Sequence, residues 1–166
     1  MFHTKLAIAA LLACAVGTRA DDKKPVEFDD VSFVIISTSC GLHEIELGKI
    51  AEQKATRADV KAFATQMVKD HTALNDELKV TAKAARISVS QKIDEARQKQ
   101  IDALKNYTGT DFDRDYLKLT MNDHKEFVAL LKQASKEAKN QELREFATKN
   151  IPVLESHIEQ AKKLSK

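Results

Sequence analysis

The sequence predicts an all-α fold, a ferritin-like four-helix bundle with one short crossover helix, and three observations point to it. Helix breakers are scarce: the 166-residue chain has four glycines and two prolines, and it abounds in Ala, Leu, Lys, Glu and Gln. Beyond residue 29, apolar residues recur at three- and four-residue spacing, the signature of helices with one buried face. The segments fall into four of about 25 residues and one of about 15, and the short one rises ~22 Å. That is enough to carry the chain from one end of a bundle to the other. The second and fourth helices then run parallel, and the outer pairs form antiparallel hairpins. A plain up-and-down five-helix bundle is the alternative.

The elements follow in order. Residues 1–20, MFHTKLAIAALLACAVGTRA, carry one early lysine and an unbroken apolar run from Leu6 to Val16. Thr18 and Ala20 stand at the spacing a signal peptidase reads, and the run is shorter than the ~20 residues a spanning helix needs. This reads as a secretory signal peptide, giving a periplasmic or secreted protein with no transmembrane segment in the mature chain. A second reading is lipoprotein processing at LLAC, with anchoring through Cys14. Residues 21–29 form a polar linker, and residues 30–166 form the bundle domain.

The first helix is expected over Asp30 to Ala55. The second opens at a capping box, Thr56-Arg57-Ala58-Asp59, and runs to about Arg86 with Val60, Phe63, Ala64, Met67, His71, Leu74 and Leu78 facing the core. Ser90 is a cap for a third helix, Gln91 to Lys105, with Ile93, Ala96, Ile101 and Leu104 on one side. Thr110 to Asp113 forms another capping box, opening a fourth helix from about Asp111 to Lys139. The fifth runs from Asn140 to Leu164, kinked or restarted at Pro152.

Charge narrows the function classes. With Lys5 and Arg19 in the leader, the remainder carries 25 basic and 25 acidic side chains, alternating in sign. Nucleic-acid binding needs a cationic footprint and is disfavoured. No Gly-rich phosphate loop, Gly-x-Ser-x-Gly elbow or Cys-x-x-Cys pair occurs, so nothing names an enzyme reaction. Cys40 is the sole thiol outside the leader: a buried small hydrophobe, as its place beside the apolar VSFVII run favours, a reactive thiol, or a point of intermolecular pairing.

Four polar residues break the apolar stripes. His71, His124 and His157 each lie among apolar neighbours on separate helices. On the first helix Glu44 shares its face with Ser37, Gly41, Gly48 and Ala51, small residues that admit a neighbouring helix closely. Glu44, His71 and His124 each stand about 13 residues into their helices and His157 about 17, so all four reach nearly one level. Inward polar residues at one height are how bundles build metal sites, and three imidazoles with a carboxylate suit copper, zinc or iron. Met67 and Met121 share faces with His71 and His124, a weaker pointer to copper. A Glu-x-x-His pattern on two helices, needed for a diiron site, is absent. Asp70 and Asp123 precede histidines, point about 100° away from them and read as surface residues. Three readings remain open: a bundle binding one metal ion through Glu44, His71, His124 and His157, for metal handling or envelope stress; a metal-free interaction domain with a buried Glu/His network; and, with less behind it, a catalytic metal site with an open position, for which the sequence names no general base or substrate pocket. Homo-oligomer or protein partner is left open.

The chain resembles the bacterial secreted family known as domain of unknown function 4142. The resemblance spans residues 30–164 and is carried by GLHEIELGKIAEQKA (41–55), VKAFATQMVKDHTALNDEL (60–78), FDRDYLKLTMNDHKEFVALL (112–131) and LREFATKNIPVLESHIEQAKKL (143–164). It implies a ferritin-like bundle and an extracytoplasmic address, with no established activity. His43 stands where that family usually has a small residue, and Cys40 is also unusual there.

Overall fold

The computed structural model describes residues 27–89 and 91–166. They form α1 (Asp30–Lys54), α2 (Ala58–Ala84), α3 (Glu95–Leu104), α4 (Gly109–Glu137) and α5 (Gln141–Leu164), with no strand among the described residues. The leader with Cys14, most of the linker and the expected cap Ser90 lie outside the described residues. None of the described helices is long and apolar enough to cross a membrane.

Contacts between helix ends establish the topology. At one end, the Asp30 carboxylate accepts hydrogen bonds from the backbone N–H groups of Lys139 and Asn140, joining the start of α1 to the α4–α5 turn. At the other end, Asp113 near the start of α4 accepts from the N–H groups of Thr56 and Arg57, and Arg57 donates to the Leu164 carbonyl at 2.7 Å. Thus α1 is antiparallel to α2 and α4, and α5 is antiparallel to α4 and α2, leaving α2 parallel to α4. The link between them runs beside α1: Asp94 meets Ser39 at one point, and the Lys105 carbonyl accepts from Lys54 further along. The crossover expected from the helix lengths is therefore present.

Several local expectations need correcting. Helix α3 has 10 residues rather than about 15 and rises ~15 Å; residues 85–89 and 91–94 lie outside any helix. Its N-cap is Asp94, which accepts from the Arg97 N–H, and Ala96 is exposed while Ile101 and Leu104 are buried. Thr56 does not cap α2. The N-cap position falls one residue later, at Arg57, and the Thr56 hydroxyl donates to Asp113 at 2.6 Å. Asp113 thus caps the start of α2 across the bundle instead of closing a box with Thr110, and α4 opens earlier, with Thr108 at its N-cap. Helix α5 continues through Pro152 as one helix.

Two small residues set how closely α1 approaches α2. A Cβ on Gly48 would lie 2.7 Å from Val68 Cγ2 and 3.1 Å from the Ala64 carbonyl oxygen; one on Gly41 would meet the Asn75 amide at 2.1 Å. Both glycines bring the carboxylate of Glu44, midway between them, into the interior.

The core divides into two apolar clusters. One holds Phe33, Leu74, Leu78, Phe127, Leu131, Phe146 and Leu154; the other holds Leu47, Phe63, Met67, Phe112, Tyr116, Leu117 and Ala161. Along every long helix the change from one to the other occurs at the same place: around Glu44 on α1, His71 on α2, His124 on α4 and His157 on α5. Full burial of an aliphatic or aromatic side chain contributes roughly 1.5–3 kcal/mol, so the clusters stabilise the bundle. The layer between them does not, and needs another explanation.

Candidate metal centre

That layer is polar and buried. His43, Glu44, His71, His124 and His157 are each at most 2% exposed. Among the described residues, His71 Nδ1, both nitrogens of His43, both carboxylate oxygens of Glu44 and one Asp123 oxygen are buried without a hydrogen bond. A buried group left unpaired costs roughly 1–3 kcal/mol, so their concentration at one height sets this layer apart from the apolar clusters on either side.

Three imidazoles converge. His71 Nε2 lies 3.1 Å from His124 Nε2, and His124 Nε2 lies 3.2 Å from His157 Nδ1. Outer partners determine which nitrogen is free. His124 Nδ1–H donates to the Thr120 carbonyl at 2.8 Å, and His157 Nε2–H donates to the Asp70 carboxylate at 2.9 Å. Asp70 is itself held by the Gln66 side-chain amide. In their neutral forms both rings therefore aim lone pairs at the same point, with no hydrogen between them. Orienting a ligating imidazole through its far N–H is how proteins prepare metal sites. The spacing also fits: with metal–nitrogen bonds of ~2.0–2.1 Å, tetrahedral donors stand ~3.3 Å apart.

The charge states are set by burial and by Glu44. Burial, with the charge of His124 adding, pushes His71 down to about 3. His157 is lowered by burial and by His124. Burial also opposes protonation of His124, yet Glu44 and the Thr120 carbonyl outweigh it and raise this one ring. Glu44 is pushed up by burial but drawn down to about 2, chiefly by His124. Two rings are thus neutral donors at pH 7, and the third is the basic member.

Not all of the expected set meets at one point. Glu44 Oε1 is 3.4 Å from His124 Nδ1, the nitrogen facing away from the other two rings. It stands behind His124 and joins a second group with His43 and Asp123, whose donor atoms lie within 4.8 Å of one another. Met67 lies within one apolar cluster and Met121 packs against that same cluster. Asp70 and Asp123 are not plain surface residues. Each points away from the histidine beside it in sequence, as helix geometry requires, but reaches a histidine on another helix: Asp70 meets His157, and Asp123 Oδ2 lies 3.4 Å from His43 Nδ1. Burial, with Glu44 and Glu126 adding, pushes Asp123 up to about 7. His43, fully buried, was not singled out because it sits one residue off the Glu44 stripe. The adjoining His-Glu dipeptide was the available signal.

The trio has a route to solvent. A cavity of about 200 Å³ between α2 and α5 is lined by Asp70, His71, Leu74, Asn150 and His157 among others. Organic ligands usually occupy roughly 300–1,000 Å³, so this opening suits a small ion or water. Cys40 is buried, accepts from Arg97 Nη2 at 2.8 Å and is pushed by burial up to about 12, which keeps it a thiol.

Fold and site together define an all-α, one-crossover helical bundle with a buried polar layer at mid-height. The chain belongs to the family described as domain of unknown function (DUF4142), whose model matches residues 15–164. No curated protein matches it. Among solved structures it is similar to CopM in the Cu(I)-bound form, at 19% identity over 82% of this chain and 95% of that one, with a TM-score of 0.68. CopM in the apo form is similar at 21% identity and TM-score 0.67, covering 82% and 95%. A DUF305 fragment from Deinococcus radiodurans matches at 12% identity and TM-score 0.72, covering 81% and 93%. At these identities the likeness is one of fold.

Proposed function

We propose that this is an extracytoplasmic metal-handling protein whose core binds one transition-metal ion, copper foremost, between His71 Nε2, His124 Nε2 and His157 Nδ1. The observation that carries this reading is the convergence of three buried imidazoles, two of which, His124 and His157, have their far nitrogens already engaged by Thr120 and Asp70. Neutral imidazole donors suit copper and zinc and accept iron. Support for copper comes from the similar bundle of CopM, solved in Cu(I)-, Cu(II)- and Ag-bound forms. Support for the address comes from the leader-like residues 1–20. Glu44 serves behind His124, orienting the ring and balancing the charge of the bound ion, while the cavity between α2 and α5 admits the ion.

A second reading, a metal-free buried network, is favoured by one observation: a proton on the raised His124 would occupy the same gap and donate to a neighbouring ring. Elemental analysis separates the two. After incubation with copper and exhaustive dialysis, the untagged protein should retain an equivalent of copper that His71→Gln/His157→Gln lacks. Equal copper in the two proteins would remove the metal reading and leave the network.

A further inference from the structure

The second polar group, on the far side of His124, is unexplained by a single ion at the trio. His43 and Glu44 lie next to each other on α1, and Asp123 comes from α4. The His43 side chain is 1% exposed and that of Asp123 16%, so the group is closed on the α1 side and reaches solvent along α4. Both nitrogens of His43, both oxygens of Glu44 and Asp123 Oδ2 lack hydrogen bonds. Two carboxylates this close repel unless a proton or a cation lies between them. Arg97, whose charge acts on Asp123, does not fill that role by contact, since its Nη1 pairs with Asp94 and its Nη2 with Cys40 Sγ. One donor atom from each of the three residues lies within 4.8 Å of the others, close enough to share one ion.

We infer that His43, Glu44 and Asp123 form a second cation site, harder in its donors than the trio and suited to a divalent ion such as zinc, iron(II) or manganese. Its carboxylates accept an ion that prefers oxygen, whereas the three-imidazole site favours a softer one. The bundle then holds two dissimilar sites on opposite nitrogens of the same ring, with His124 Nε2 facing one and Glu44, beside His124 Nδ1, belonging to the other.

The test uses zinc in the absence of the trio. In His71→Gln/His157→Gln, equilibrium dialysis against zinc followed by elemental analysis should find one equivalent. Adding Asp123→Asn, an isosteric change at a partly exposed residue, should reduce it to none, with helical circular dichroism and cooperative melting retained. His43→Gln in the same background should do the same. Absence of zinc from the trio variant, or the same amount with and without Asp123→Asn, would overturn the second site. The trio's own copper is measured separately on the otherwise unaltered chain, so failure of one site does not count against the other.

Discussion

Copper at a free concentration about a thousand times its dissociation constant raises the melting temperature of the protein by roughly 10 °C. His124→Gln removes the increase. An ion that binds the folded state and not the unfolded chain stabilises by ~4 kcal/mol at that concentration, and for a bundle of this size each kcal/mol is worth roughly 3 °C. His124 is the decisive position because its Nε2 contacts both other rings, at 3.1 and 3.2 Å. Losing it removes the ring that the other two both approach. Calorimetric melts of wild type and His124→Gln, with and without copper, measure the effect. An increase that survives in the variant would locate the ion elsewhere.

The second large effect is structural. Gly48→Leu should lose about 3 kcal/mol or more, the upper range for overpacking a filled interior. Already a Cβ there meets Val68 Cγ2 at 2.7 Å and the Ala64 carbonyl oxygen at 3.1 Å, and a backbone carbonyl cannot turn aside. The remaining side-chain atoms must push α1 from α2, which also withdraws Glu44 and His43 from the polar layer. Gly41→Ala is milder, because its obstacle is the end of the Asn75 side chain, which can rotate. Denaturant unfolding of the two variants ranks them. A Gly48→Leu variant as stable as the wild type would show that α1 and α2 can separate without cost, against the close packing described above.

Much of the bundle was legible because helices write their burial locally. The stripe Val60, Phe63, Ala64, Met67, His71, Leu74 and Leu78 on α2 is buried throughout, and the smallness of Gly41 and Gly48 beside Glu44 correctly announced a close neighbour. Counting residues from each helix start placed three histidines and Glu44 at one level, where the structure has its polar layer. What escaped depends on partners distant in sequence. Asp113 caps α2 from α4, Asp70 orients His157 from α2, and Asp123 faces His43 from α4. Periodicity indicates that Asp70 points away from His71; it does not indicate what it points toward. Glu44 shows the same limit, since sharing a level with three histidines does not specify which nitrogen of His124 it meets.

The most direct measurement is X-ray absorption at the copper edge on protein loaded with one equivalent. The account predicts three imidazole nitrogens in the coordination sphere, with one imidazole fewer in His157→Gln. A sphere of carboxylate oxygens or methionine sulfur, unchanged by that substitution, would contradict it.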